Sequence, residues 1–184
     1  MDMLIFLLAI PLIGAVLTLL MGNERAKYAK FVALAFSAAT LVIAVALLFM
    51  QDDYATMGMN EVWIKTDFFQ FNFKLAIDGL SILMVFLTAL LVFVVGLFSY
   101  EENDRPNYYH TLLLLMELGL MGVYLSADYF LFYIMWEVTL IPMYFMISWY
   151  GGPRRHYSAI KFFIYTHVAS LVMLLGIFIM VFTA

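Results

Sequence analysis

Residues 111–149 read TLLLLMELGLMGVYLSADYFLFYIMWEVTLIPMYFMISW. At about 1.5 Å per residue, one straight helix of this length would overrun a ~30 Å hydrocarbon core by a wide margin. The short polar turn Ser126-Ala127-Asp128 divides it, and Asp128 can cap the helix that follows. Two membrane helices result, a fourth over 109–125 and a fifth over 129–149. Gly151-Gly152-Pro153 stops the fifth.

Outward from this stretch the same texture repeats. Met3–Met21 is apolar apart from Pro11, Gly14 and Thr18. Asp2 stands where a signal peptide would be positive, and the run is too long for one, so it reads as a retained helix. Further spans fall at 31–50, at 80–100 with Asp78 as N-cap, and at 158–182. The fold class is therefore all-α membrane protein, with about six transmembrane helices. The outer loop 51–79 differs. Phe69, Phe71, Phe73, Leu75 and Ile77 alternate with Gln70, Asn72, Lys74 and Ala76, the period of a half-buried strand. With Val62–Lys65 it predicts a short outer-face β-hairpin between helices two and three.

Composition agrees. Of 184 residues, 66% are apolar and 12% charged, with mean hydropathy +1.01. A soluble domain carries roughly 45–50% apolar and about 25% charged residues. The chain has no cysteine, which excludes disulfides and thiolate-built iron–sulfur or zinc sites. Nine Lys+Arg against thirteen Asp+Glu give −4, which argues against nucleic-acid binding. Three histidines are too scattered to hold haem, and no phosphate-cradling glycine motif is present.

Loop charge sets an expected orientation. Arg25, Lys27 and Lys30, then Arg105, then Arg154 and Arg155 all fall on one side by parity. The other side has only Lys65 and Lys74. The N-terminus and hairpin are expected outside, and the loops with Arg25, Arg105 and Arg154 on the cytoplasmic side.

Ionisable residues inside spans carry the functional reading. Glu137 lies near mid-helix, where a charge costs roughly 2.5–3.5 kcal/mol. A carboxyl that switches between charged and neutral forms can carry protons. Tyr133, Glu137, Tyr144 and Ser148 follow i, i+4, i+11, i+15 and share one face as candidate lining. Pro142 removes the donor that would bond the Val138 carbonyl. The bland alternative is a Glu that only glues helices, for which Ser, Thr or Asn would serve. Glu117 in the fourth helix and Lys161 in the sixth are expected at similar depth, either as a relay or as a structural ion pair. His167 is a weaker relay candidate, since a lone membrane histidine is more often a packing residue. Thr166 and Ser170 are expected to bond back to their own helix. Gly96, Gly119, Gly122 and Gly176 read as sites of close helix approach.

Trp136-Glu137-Val138-Thr139-Leu140-Ile141-Pro142-Met143-Tyr144, Trp149-Tyr150-Gly151-Gly152 and Tyr157-Ser158-Ala159-Ile160-Lys161-Phe162-Phe163-Ile164-Tyr165-Thr166 together resemble the subunit 4 family of complex I. That family comprises the antiporter-like membrane subunits of respiratory dehydrogenases and their photosynthetic and archaeal relatives. Ile77-Asp78-Gly79-Leu80-Ser81 resembles the family's entry to its third helix. The resemblance covers helices three to six well and the first two by position.

The resemblance implies a proton-translocating subunit in the membrane arm of a redox-driven pump, belonging to an NADH:quinone oxidoreductase-type translocase. It implies Glu137 as a proton switch paired with a lysine on a seventh helix, and Lys161 as a loading or tuning residue. It implies no cofactor or metal in this chain, with flavin, iron–sulfur clusters and quinone in partner subunits. The membrane is expected to be energy-transducing: a bacterial or archaeal plasma membrane, with thylakoid or mitochondrial inner membrane as alternatives. Family members have roughly fourteen helices in inverted repeats. Residues 1–184 match the N-terminal part, so a longer subunit or a second chain is expected to supply the rest. The alternatives are a subunit of a multisubunit cation/proton antiporter or membrane-bound hydrogenase, and a structural or assembly piece without its own transport.

Overall fold

The computed structural model describes residues 2–22, 26–50, 54–65, 70–99 and 105–183. Its elements in chain order are α1 (Asp2–Leu20), α2 (Ala26–Leu48), α3 (Tyr54–Met57), β1 (Met59–Lys65), β2 (Gln70–Leu75), α4 (Gly79–Phe98), α5 (Pro106–Leu125), α6 (Tyr129–Tyr150) and α7 (Arg155–Thr183). All but α3 among the helices are long and apolar enough to cross a membrane, which makes six candidate spans among the described residues. Their bounds lie close to those read from the sequence. The single-turn α3 is new. Arg25 and Phe69 lie outside the described residues.

The helix boundaries have local causes. Asp78 accepts from the N–H groups of Leu80 and Ser81, and the Ser81 hydroxyl accepts from the Asp78 N–H. This reciprocal box fixes the start of α4. Asp128 caps α6 through the N–H groups of Phe130 and Leu131. Pro106 opens α5 after Arg105, whose φ of 49° puts it in the left-handed region.

β1 and β2 pair antiparallel, Met59 opposite Leu75 and Val62 opposite Asn72, with a register shift between Val62 and Ile64. The hairpin is tied to the α5–α6 corner. Ala76 N–H donates to Leu125 O, Ala127 N–H donates to Lys74 O, and Phe71 stacks on Phe130 at 4.1 Å. Beneath it lies the main core: Leu4, Leu7 and Leu8 of α1, Ala44 and Leu47 of α2, Ile82 and Val85 of α4, and Met121 and Leu125 of α5.

α5 is the hub, packing on α1, α2, α4 and α6. α1 runs against it: Thr18 and Thr111 hydroxyls meet at 2.8 Å, and Gly14 lies against Leu114. α6 crosses it at Gly119 and Gly122. A Cβ at Gly119 would come within 2.6 Å of Thr139 Cγ2, and one at Gly122 within 2.6 Å of Met135 Cγ. The other two glycines read as close-approach sites make no such approach among the described residues. Gly96 has only ordinary contacts, and nothing lies within 4 Å of a Cβ at Gly176. Both fall where the neighbouring surface is loose or open, a property of the partner that spacing along one helix does not carry. α7 packs on α6 and leaves Ile164, Val168, Val172, Leu175 and Ile179 open. Such a surface requires lipid or further helices.

Candidate functional site

The polar groups of α6 meet α7 along one seam. Glu137 is the ninth residue of α6, about 12 Å along the helix axis. Its Oε2 stands 3.1 Å from His167 Nδ1, and its Oε1 accepts a hydrogen bond from the Ser170 hydroxyl. Ser170 also reaches back to His167 O, and Thr166 to Phe162 O. The Tyr133 phenol is close enough to interact with both Glu137 and Ser170. His167 is held flat against Phe163, ring centroids 5.5 Å apart and planes 5° apart.

One proton lies between the carboxyl and the imidazole in this pair, on whichever partner donates. The Glu137 side chain is 24% exposed and that of His167 41%. The pair therefore opens on the bundle surface that α7 leaves uncovered. Pro142 lies one turn beyond, in the α6 interior.

The remaining members of the stripe have other partners on the same seam. Tyr144 packs edge-on against Phe163, 5.5 Å between centroids. Ser148 is buried and shares a hydrogen bond with His156 Nδ1 at 3.0 Å. The stripe is thus packed against α7 along its length, and only its Glu137 end gathers several polar groups.

The expected Glu117–Lys161 pair does not form. Glu117 is 0% exposed on α5, and neither carboxylate oxygen has a hydrogen-bond partner. Lys161 is exposed on α7, its Nζ 6.0 Å from the ring centroids of Tyr157 and Tyr165. Lys161 is on α7, which packs on α6, whereas Glu117 is on α5, which packs on α1, α2, α4 and α6. Depth is readable from position along a helix, whereas azimuth depends on which neighbour each face meets.

Two histidines carry no reading in the sequence, and a lysine reads differently there. His110 and Lys30 are buried in the α2–α5 region, and His156 joins Ser148 across the turn between α6 and α7. Lys30 reads as a loop charge from the sequence, because it sits near a span's end. The Lys30 side chain acts electrostatically on His110, which places them near each other.

Fold and site together define a membrane-spanning helix bundle with ionisable side chains inside its spans. The family described as "NADH:quinone oxidoreductase/Mrp antiporter, TM" matches residues 126–184, which include the whole α6–α7 seam. The chain is 38% identical over 180 residues to F(420)H(2) dehydrogenase subunit M of Methanosarcina mazei, covering 97% of this chain and 36% of that one. It is 29% identical over 181 residues to an NAD(P)H-quinone oxidoreductase chain 4 of Nostoc sp., covering 96% and 33%. Among solved structures, a chain of respiratory complex I from Thermus thermophilus shares its fold, with TM-score 0.81, 24% identity, and coverage of 96% and 35%. The chain is thus a homologue of the antiporter-like membrane subunits to which this subunit M and chain 4 belong. It spans about a third of the length of the curated relatives it matches.

Proposed function

We propose that the chain is part of a proton-translocating membrane-arm subunit in a complex I-like respiratory assembly. The observation that carries this reading is the Glu137–His167–Ser170 cluster: a carboxyl within a membrane span, bonded to a group that can take its proton. In this reading Glu137 is the switching carboxyl. His167 holds or accepts the shared proton, Ser170 and Tyr133 orient the carboxyl, and Lys161 tunes it from the next turns of α7. A change of charge near one member of such a pair alters the proton affinity of the other, which is how coupling would reach it.

The open face beside the pair is the place for the remaining helices, from a longer subunit or a second chain. The partners are other membrane-arm subunits. Flavin, iron–sulfur clusters and quinone belong to those partners, since this chain offers no thiolate to a cluster. The N-terminus faces outward, with Arg105 and Arg154 on the cytoplasmic side of an energy-transducing membrane. Redox catalysis is then a property of the assembly, and this subunit contributes ion transfer.

The test is Glu137→Gln in the native complex, reconstituted in proteoliposomes. Proton uptake should fall by about tenfold or more while assembly is retained. Normal pumping would overturn the assignment. Glu137→Asp should keep part of the activity, because a carboxyl remains; equal loss in both variants points to packing alone.

A second reading, cation/proton exchange without redox chemistry, is favoured by the mention of an antiporter in the matching family's description. Identifying every co-purifying chain by mass spectrometry separates the two. Iron–sulfur and quinone-site subunits support the pump, whereas small hydrophobic antiporter subunits alone support exchange.

A further inference from the structure

The α2–α5 interface holds polar groups that the Glu137 seam does not use. Three level matches set the register of these two helices. Lys30 acts on His110. Leu34 and Leu113 both meet Gly96. Phe36 and Leu114 both meet Gly14. Residue numbers rise together along both helices, so α2 and α5 run the same way. The offset stays near constant, which brings Ser37 to the level of Glu117. Lys30 and Ser37 are seven residues apart, as are His110 and Glu117. Seven residues is close to two turns, so each pair lies on one face of its helix.

These faces are buried. Ser37 is 2% exposed, His110 1% and Glu117 0%. Both ring nitrogens of His110, both carboxylate oxygens of Glu117 and Oδ1 of Asn107 lack a hydrogen-bond partner. Ser37 donates to Leu34 O and keeps acceptor capacity. Ala33, one turn before Ser37, packs with Ala15 of α1 and Leu114 of α5, and Thr40 and Ala44 are buried further along α2. The spans of α1 and α4 bring no titratable side chain to this seam, and Glu137 on α6 is engaged with α7. Lys30 and His110 are therefore the titratable groups facing Glu117 from within the seam.

Buried polar atoms in such numbers ask for water, each molecule of which needs two to four polar partners. We propose that the α2–α5 interface is a hydrated proton-binding cleft, entered past Asn107, Lys30 and His110 and ending at Glu117, where a proton resides on the carboxyl beside Ser37. The ligand is a proton carried by water, and no covalent step is involved. The site is separate from the Glu137 pair, which faces α7.

Infrared difference spectroscopy on the native complex in membranes tests this. The spectrum of wild type minus Glu117→Gln should contain the carbonyl band of a protonated carboxylic acid. The band should persist in Glu137→Gln and shift on exchange into D₂O. His110→Phe should slow that exchange by about tenfold or more, by removing the polar entry. Ser37→Ala, which removes only a hydroxyl, should shift the band frequency. Absence of the band, exchange as fast in His110→Phe as in wild type, or an unmoved band in Ser37→Ala would each overturn the proposal. The readout is vibrational, so it stands or falls independently of whether the complex pumps.

Discussion

His167 Nδ1 lies 3.1 Å from Glu137 Oε2, thirty residues away in sequence, on the helix packed beside it. The bond joins two ionisable groups inside the membrane, and the imidazole is seated on Phe163. A hydrogen bond to a charged group contributes roughly 1.5–3 kcal/mol. His167→Leu leaves the carboxyl with Ser170 and Tyr133 alone. Under the proposed function, proton uptake should fall by about tenfold. His167→Gln, which still offers a donor, should lose less. Proton uptake by proteoliposomes at matched turnover checks both, and equal effects of the two substitutions would assign His167 to packing.

The second prediction concerns pH and a residue outside the membrane. The Ser81 backbone N–H, then the Ser81 hydroxyl, hold the Asp78 carboxyl below its ordinary value, with Leu80 N–H adding to them. A carboxyl lowered in the folded state stabilises above its unfolded pKa, and that stability is lost as pH falls through the folded one. Asp78→Ala should therefore cost about 1 kcal/mol near neutral pH, a typical N-cap loss. The difference from wild type should shrink in acid. Thermal inactivation of the purified complex at a series of pH values measures it, and a gap that widens in acid would contradict the capping role.

Much of this architecture was legible because membrane helices announce themselves one at a time. Length, hydropathy and caps are local properties, so the spans ending at Leu20, Phe98, Leu125 and Tyr150 could be placed from their own residues. Asp78 and Asp128 were readable as caps for the same reason, and the alternation from Phe71 to Leu75 as a strand. Partners across helices were not legible. Glu117 and Lys161 read as partners along the chain, yet Glu117 is buried on α5 and Lys161 is exposed on α7. Ser148 reads as lining beside Glu137, yet its partner is His156 at the next turn of chain. His167 looked solitary because its partner is on another helix. In an apolar bundle nearly every face is hydrophobic, so periodicity loses the contrast that identifies the inward face of a soluble helix.

The corner that carries the hairpin yields a third prediction. Asp128 Oδ1 accepts from Phe130 N–H at 2.9 Å and Leu131 N–H at 3.2 Å, one residue past the point where Ala127 N–H meets Lys74 O. Asp128→Ala should destabilise the start of α6 by about 1 kcal/mol. The hairpin register rests on the same corner, so protease cleavage in the loop after α2 should accelerate. Asp128→Ser keeps a capping oxygen and should retain most of the wild-type resistance. Limited proteolysis from the hairpin side reads both, and unchanged cleavage in Asp128→Ala would separate the cap from the hairpin.

The crossing of α5 and α6 yields the last. Gly119 lets the backbones approach so closely that an added Cβ would stand 2.6 Å from Thr139 Cγ2 and 3.1 Å from Thr139 N. The second of these contacts is backbone, so no rotamer change relieves it. Gly119→Ala must push the helices apart, and overpacking of this kind costs roughly 1–3 kcal/mol. Gly96→Ala, whose nearest neighbour is a Leu34 methyl at 3.7 Å, should be close to neutral. α6 carries Glu137 on the face opposite this crossing, so displacing it should also disturb the carboxyl's reach to His167. Gly119→Ala is therefore expected to lower both the thermal stability of the assembled complex and its proton uptake, while Gly96→Ala changes neither. If Gly119→Ala lost stability but pumped normally, the α5–α6 crossing would be a packing feature without influence on the Glu137 seam.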